Sequence, residues 1–222
     1  MIYLSVSLTA LDVFHKLDYN VKRIDNENIR GKKMTEVRPI KDKAKIGAIK
    51  DYLKERRLRD YLLFVAGCNL AIRVSDLLGL RVQDVRDSQG NIRRFVRLKE
   101  KKNKNNRVLA VNKTLEEALI LFFNNSPVLE KETYLFRGEG RDKPMSRQNA
   151  HLIISGACKA VGLEGAYACH SLRKTWGYFA YQKKVRLEEI MHKLGHKSPG
   201  MTLRYIGIEQ EDTHRLEIEI CI

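Results

Sequence analysis

Two arginines, two histidines, a tyrosine and a lysine-rich stretch, spread over more than half of this chain, supply what breaking a phosphodiester without a metal requires. Arg73 sits in Arg73-Val74-Ser75-Asp76-Leu77-Leu78-Gly79-Leu80, and His170 and Arg173 share His170-Ser171-Leu172-Arg173-Lys174-Thr175-Trp176. His196 ends Leu194-Gly195-His196, and Tyr205 follows in Met201-Thr202-Leu203-Arg204-Tyr205-Ile206. Lysines crowd Lys101-Lys102-Asn103-Lys104. Guanidinium forks hydrogen-bond paired phosphate oxygens and suit the charge that develops on phosphorus ligands in the transition state. A tyrosine can attack the phosphorus and keep the bond energy in a covalent link. A lysine can protonate the leaving 5′-oxygen, while histidines can take the phenol proton or hold a phosphate oxygen.

Elements must bring these groups together, and the local patterns name them. Ile46, Ile49, Leu53, Tyr61, Leu62 and Val65 suit helical burial from Lys43 to Leu70, interrupted by the charged run Glu55 to Asp60. Ser75-Asp76 onward reads as another amphipathic helix through Leu80, with Arg73 at its entrance. Phe95, Val96, Leu98 and Val108, Leu109, Val111 flank the polar tip Lys101 to Asn106, the pattern of a hairpin whose turn Asn105-Asn106 supports. Thr114 with Glu117 predicts the cap of a helix over Leu115 to Phe123. Ser146 caps a helix that ends near Gly162. The last helices run His170 to Lys183, Leu187 to Leu194 and Pro199 to Ile206, with Gly195 closing the second and Ser198-Pro199 opening the third. His170 and Arg173, three apart at a helix start, project to one face, where backbone N–H groups add positive potential. The expected fold is mainly α with a small antiparallel β-sheet.

The six positions, in this order and spacing, resemble the catalytic domain of the tyrosine recombinases, the phage-integrase family, over roughly residues 35 to 208. The resemblance implies the tyrosine-recombinase catalytic-domain fold and DNA strand cleavage and rejoining through a 3′-phosphotyrosyl intermediate, with no cofactor and no metal. It implies Arg73 and Arg173 as the phosphate clamps, His170 as the acid/base partner near Tyr205, His196 as a second phosphate-contacting histidine, and Tyr205 as the nucleophile. Counting back from Arg107-Val108-Leu109 places the family lysine at Lys102, with Lys101 and Lys104 as rivals. Asp76 takes the family's acidic position and a structural role. Taken singly, every one of these residues has an ordinary use: a surface arginine, a solvated lysine, a histidine at a helix end, a core tyrosine. Their joint order is what carries the reading. Trp176 and Phe179 read as core.

The composition points the same way. Lys plus Arg number 42 against 27 Asp plus Glu, a formal net charge of +15, which favours a polyanionic partner such as double-stranded DNA. Cys68, Cys158, Cys169 and Cys221 form no Cys-x-x-Cys pair and no zinc spacing with histidines, and no apolar run reaches membrane-spanning length. A reducing, cytoplasmic setting fits this usage.

Both ends stand apart from the catalytic region, taken as residues 34–208. Residues 1–33 read either as a short extension or as a segment upstream of a start at Met34. Only 72 residues precede Arg73, where typical relatives carry a clamp domain of about a hundred residues; the expectation is that the clamp is absent or replaced. In residues 209–222, Leu216, Ile218, Ile220 and Ile222 alternate with Glu217, Glu219 and Cys221, a strand pattern. That strand would pack on its own sheet edge or mediate self-association on DNA by joining a neighbour. Two other functions compete with a site-specific recombinase: a non-catalytic DNA-binding or regulatory protein derived from an integrase, and a type IB topoisomerase-like enzyme. An intact Tyr205 disfavours the first, and the little room for clamp regions disfavours the second.

Overall fold

Asp42 starts the first helix by accepting the backbone N–H of Ala44 at 2.7 Å and of Lys45 at 3.3 Å. The computed structural model describes residues 36–100, 105–126, 129–138 and 143–208. Helix α1 (Lys43–Arg56) ends where Arg57 turns extended, and α2 (Leu58–Leu70) follows at once. The charged run Glu55 to Asp60 is therefore a helix–helix joint. Leu62, Leu63, Phe64, Val65, Ala66 and Gly67 are all buried. A helix apolar on every side must be central, and α2 packs against α1, against α5 (Lys113–Asn124) and against α7 (Cys169–Gln182). Gly67 permits that last crossing, since a Cβ there would meet Leu172 Cδ1 at 2.5 Å.

Between α2 and α5 lie two single-turn helices, α3 (Val74–Leu77) and α4 (Val82–Val85), and the hairpin of β1 (Phe95–Lys99) and β2 (Asn106–Ala110). The strands pair antiparallel from Phe95↔Ala110 to Lys99↔Asn106, and Val96 and Leu109 turn into the core. The expected helix through Leu80 is shorter than its pattern: after Leu77 the chain turns at Leu78-Gly79, so that Leu77, Leu78 and Leu80 all reach the core. Helix α5 also begins earlier than Thr114 suggests. Asn112 is the cap, its side-chain oxygen accepting from Leu115 N at 3.0 Å, and Thr114 lies inside the first turn.

Helix α6 (Arg147–Ala160) is capped by Ser146, which accepts from Asn149 N at 3.1 Å. Helices α7, α8 (Leu187–Leu194) and α9 (Pro199–Ile206) complete the described fold. Gly195 leaves α8 with φ +61°, and Ser198 caps α9 with Pro199 in its first turn. A second small apolar cluster joins these three helices through Ala180, Ile190, Leu194 and Ile206, with Trp176, Leu203 and Tyr205 packed on it. Full burial of Ile190, Leu194 and Ile206 contributes roughly 1.5–3 kcal/mol each. Trp176 and Phe179 are half-buried at the margin, each under a lysine (Lys193 and Lys43), rather than inside the core.

The architecture is mainly helical with one two-stranded antiparallel sheet, as the patterns predict. Cys68 and Cys158 lie in the core region, and burial pushes both thiols up to about 12, which keeps them unreactive. Among the described residues no helix is long and apolar enough to cross a membrane. Lys102, the extension at 1–33 and the tail at 209–222 lie outside the described residues.

Candidate active site

Arg73 is the residue at which the chain enters α3, two positions after Ala71, whose left-handed backbone (φ +53°) ends α2. Arg173 grows from the middle of α7 and is almost wholly buried. Its guanidinium donates to the carbonyl of Ala71 at 2.7 Å and to that of Leu194 at 2.5 Å. One side chain thus ties the turn before Arg73 to the C-terminal end of α8. A buried guanidinium demands such partners, and both are main-chain groups that no other side chain can displace.

His196 follows Gly195 just beyond α8. Its Nδ1 lies 3.2 Å from Thr202 Oγ1, which itself lies 3.0 Å from Ser198 O. A hydroxyl has one proton to give; given to Ser198 O, it leaves Thr202 Oγ1 an acceptor for a protonated His196 Nδ1, and given to the ring it leaves Nδ1 the acceptor, so the His196 tautomer and the Thr202 hydroxyl rotor are set together. Thr202 is fully buried, which fixes the ring to α9. Three residues later on the same helix, Tyr205 meets His196 edge to face, ring centroids 4.7 Å apart. The Nζ of Lys174, from α7, stands 4.9 Å from the Tyr205 ring centre.

These groups share one electrostatic environment. Burial raises the Tyr205 phenol above its ordinary value, and Arg173 opposes that rise by charge and by a hydrogen bond, with Arg73 adding to the opposition. Desolvation lowers the His196 imidazole, and Arg173 and Arg73 lower it further. His170, in the first turn of α7, still reaches solvent, yet partial desolvation and then Arg173, Lys174 and Arg73 lower it too. Burial is the main reason the Arg173 guanidinium itself is pulled down; an arginine so lowered stays charged at neutral pH. Both histidines are therefore biased to the neutral form.

Arg73, His170, Arg173, His196 and Tyr205 converge; Lys102, outside the described residues, is not placed. Asp76 is buried one turn from Arg73, in keeping with a structural role. Four residues that sequence reasoning passed over also belong here. Thr202 fixes His196, and Lys174 covers the tyrosine ring. Glu100 binds Arg73 and Arg107 at 3.2 and 3.1 Å, and Lys193 sits against Trp176, its amine lowered to about 8 by burial and by Arg107 and Arg173. Glu100 carried a visible signal, being the single acid between Arg93 and Arg107. Thr202, four residues after the cap Ser198, did as well.

Among the described residues no three His, Cys, Asp or Glu side chains cluster as metal ligands. Chemically, the site presents two guanidiniums, two imidazoles biased to the neutral form and a half-buried phenol, a set matched to a phosphate diester.

Comparison with known proteins bears on the chain's family and fold. A probable integrase/recombinase, YoeC of Bacillus subtilis, is 36% identical over 177 residues, covering 80% of this chain and 93% of that protein. The crystal structure of XerA recombinase superposes with a TM-score of 0.66 at 17% identity, covering 85% of this chain and 66% of that one. XerH site-specific recombinase, bound to its palindromic difH substrate in a post-cleavage complex, gives a TM-score of 0.62 at 16% identity, covering 85% of this chain and 54% of that one. The chain thus spans between half and two thirds of these two recombinases, and at such identity they show the shared fold. Residues 28–212 match the phage integrase family as a whole, and with the YoeC relationship this establishes that the chain belongs to it.

Proposed function

We propose that this protein is a site-specific recombinase or integrase that cleaves and rejoins strands of double-stranded DNA through a 3′-phosphotyrosyl intermediate. The observation that carries the proposal is the setting of Tyr205: a half-buried phenol hydrogen-bonded to Arg173, beside His196, within the field of Arg73. In the forward step the Tyr205 oxygen attacks the scissile phosphorus and the P–O5′ bond breaks. The phenol proton passes to a histidine. His170 takes that role on the family pattern, while His196, whose ring touches the tyrosine, holds a phosphate oxygen. Arg73 and Arg173 hold the non-bridging oxygens as charge builds on them. Lys102 delivers a proton to the departing O5′. Rejoining runs the same transfers in reverse, so the cycle needs no external energy source. Tethering of nucleophile and clamps in one site supplies the orientation that such a displacement requires.

A nicked suicide substrate tests this, because loss of the short 5′-fragment traps the covalent adduct. Wild-type protein should give a denaturation-resistant protein–DNA species. Tyr205→Phe should bind the same DNA and give none. An undiminished adduct in the Phe variant would move the nucleophile elsewhere, and wild-type binding with no adduct would favour a non-catalytic DNA-binding role.

A further inference from the structure

The one acid in the basic stretch from Arg93 to Arg107 lies at the centre of the site's framework. Glu100 is 4% exposed, although it sits at the end of a hairpin strand. A single oxygen, Oε1, receives Nη1 of Arg73 at 3.2 Å and Nη1 of Arg107 at 3.1 Å. A buried carboxylate must be paired, and here two guanidiniums that would otherwise repel each other converge on the same atom. The backbone of Glu100 does a second job. Its N–H donates to Asn105 O at 2.9 Å, which closes the chain on either side of residues 101–104. Arg107 then carries the linkage onward, its Nη2 donating to the carbonyl of Lys193 at 3.0 Å. That carbonyl precedes the Leu194 carbonyl held by Arg173, three residues before His196.

We propose that Glu100 is a positioning residue for strand cleavage, which locks the Arg73 fork, by way of Arg107, to the α8 terminus that presents His196. The inference rests on the cleavage chemistry proposed above. Glu100 touches no reacting atom in this role. It engages one amino group of Arg73 and thereby sets the plane in which the fork meets phosphate. A slip of about 1 Å in that fork is expensive, since misplacement on that scale costs up to about a hundredfold in rate.

The test measures single-turnover adduct formation and DNA affinity side by side for wild type, Glu100→Gln and Arg107→Lys. Glu100→Gln keeps the shape and removes the charge. It should slow cleavage at saturating DNA by about tenfold or more while leaving affinity unchanged or tighter, because a negative charge near DNA has gone. On a substrate with a 5′-bridging sulfur, whose leaving group needs no proton, the Glu100→Gln defect should persist, because the lesion lies in the Arg73 clamp and not in proton delivery. Loss of folded protein would instead lower binding and cleavage together. Arg107→Lys, which keeps the charge but cannot hold both Glu100 and the Lys193 carbonyl, should show the same split, and it decides the matter if Glu100→Gln fails to fold. Wild-type cleavage rates in both variants, or matched losses of binding and cleavage in both, would overturn the inference. Absence of adduct with wild-type protein would instead remove the proposed function on which it stands.

Discussion

At Tyr205 two influences oppose each other, and their balance sets the chemistry of the site. Burial raises the phenol, which suppresses idle ionisation, while Arg173 and Arg73 oppose that rise with positive charge, which the proposed attack by the oxygen would draw on. The histidines are pushed the other way. His170 and His196 both sit below their ordinary 6.5, so each is neutral at pH 7 and able to accept a proton. The sign of the pH dependence follows. The active, neutral form persists as pH falls from 7 and is lost only when pH drops through the lowered value. With DNA well below saturation, where the free protein's groups govern the profile, the acid limb of adduct formation should have its midpoint below pH 6.5. With saturating DNA the phosphate favours imidazolium, and the midpoint should move upward. Stopped single-turnover assays across pH 5 to 8 would check both limbs; a subsaturating midpoint at or above 6.5 would mean that neither histidine works from the environment described here.

The elements succeed because close approaches between helices are built in at a few positions. Gly177 on α7 is the sharpest case: a Cβ there would stand 2.5 Å from Ile206 Cγ2 and 3.3 Å from Leu194 Cδ1. Ile206 is β-branched and stiff in a helix, so it cannot swing aside, and α9 would have to retreat with Tyr205 on it. Gly177→Ala should therefore lower stability by about 1–3 kcal/mol and slow adduct formation more than it weakens DNA binding. Thermal melts and the suicide-substrate assay would show this, and a variant that melts and cleaves like wild type would mean that α9 accommodates the methyl. What the sequence revealed about these elements was chiefly their local chemistry. Ser146, Gly195 and Ser198-Pro199 act within three or four residues of themselves, so their caps could be read directly. Asn112 and Thr114 are both able to cap, and only the path of the chain out of β2 decides for Asn112. The Val74–Leu77 turn stopped short because its following leucines fill the core by a turn rather than by a longer helix. Gly177 and Gly67 carried no local sign of the helices they admit. At the site, the five converging residues were legible through their joint order, whereas Glu100–Arg73 and Arg107–Lys193 join positions 27 and 86 apart. Such pairs exist only once the fold has formed.

At the scale of the whole molecule, charge governs encounter and geometry governs chemistry, and the two can be separated by salt. The chain carries +15, and residues 209–222 are themselves net acidic, so the excess on the remainder is larger still. Each phosphate neutralised by a lysine or arginine releases condensed counterions, and the logarithm of affinity falls linearly with the logarithm of salt concentration. If about six phosphates are contacted, affinity should drop roughly a thousandfold between 50 and 200 mM salt. The cleavage step should behave differently. Arg173 is buried and bonded to two carbonyls, and the half-buried Tyr205 and His196 pack on each other beside it; groups so placed are screened less than fully exposed ones. Measured at saturating DNA, the rate of adduct formation should change only a few-fold over the same salt range. Titrations by fluorescence anisotropy, paired with single-turnover cleavage at each salt concentration, separate the two quantities. Affinity that barely responds to salt would remove the electrostatic account of binding. A cleavage rate that falls in step with affinity, even at saturation, would mean that solvent ions reach the clamp arginines, contrary to the burial of Arg173 and to the two carbonyls that hold it.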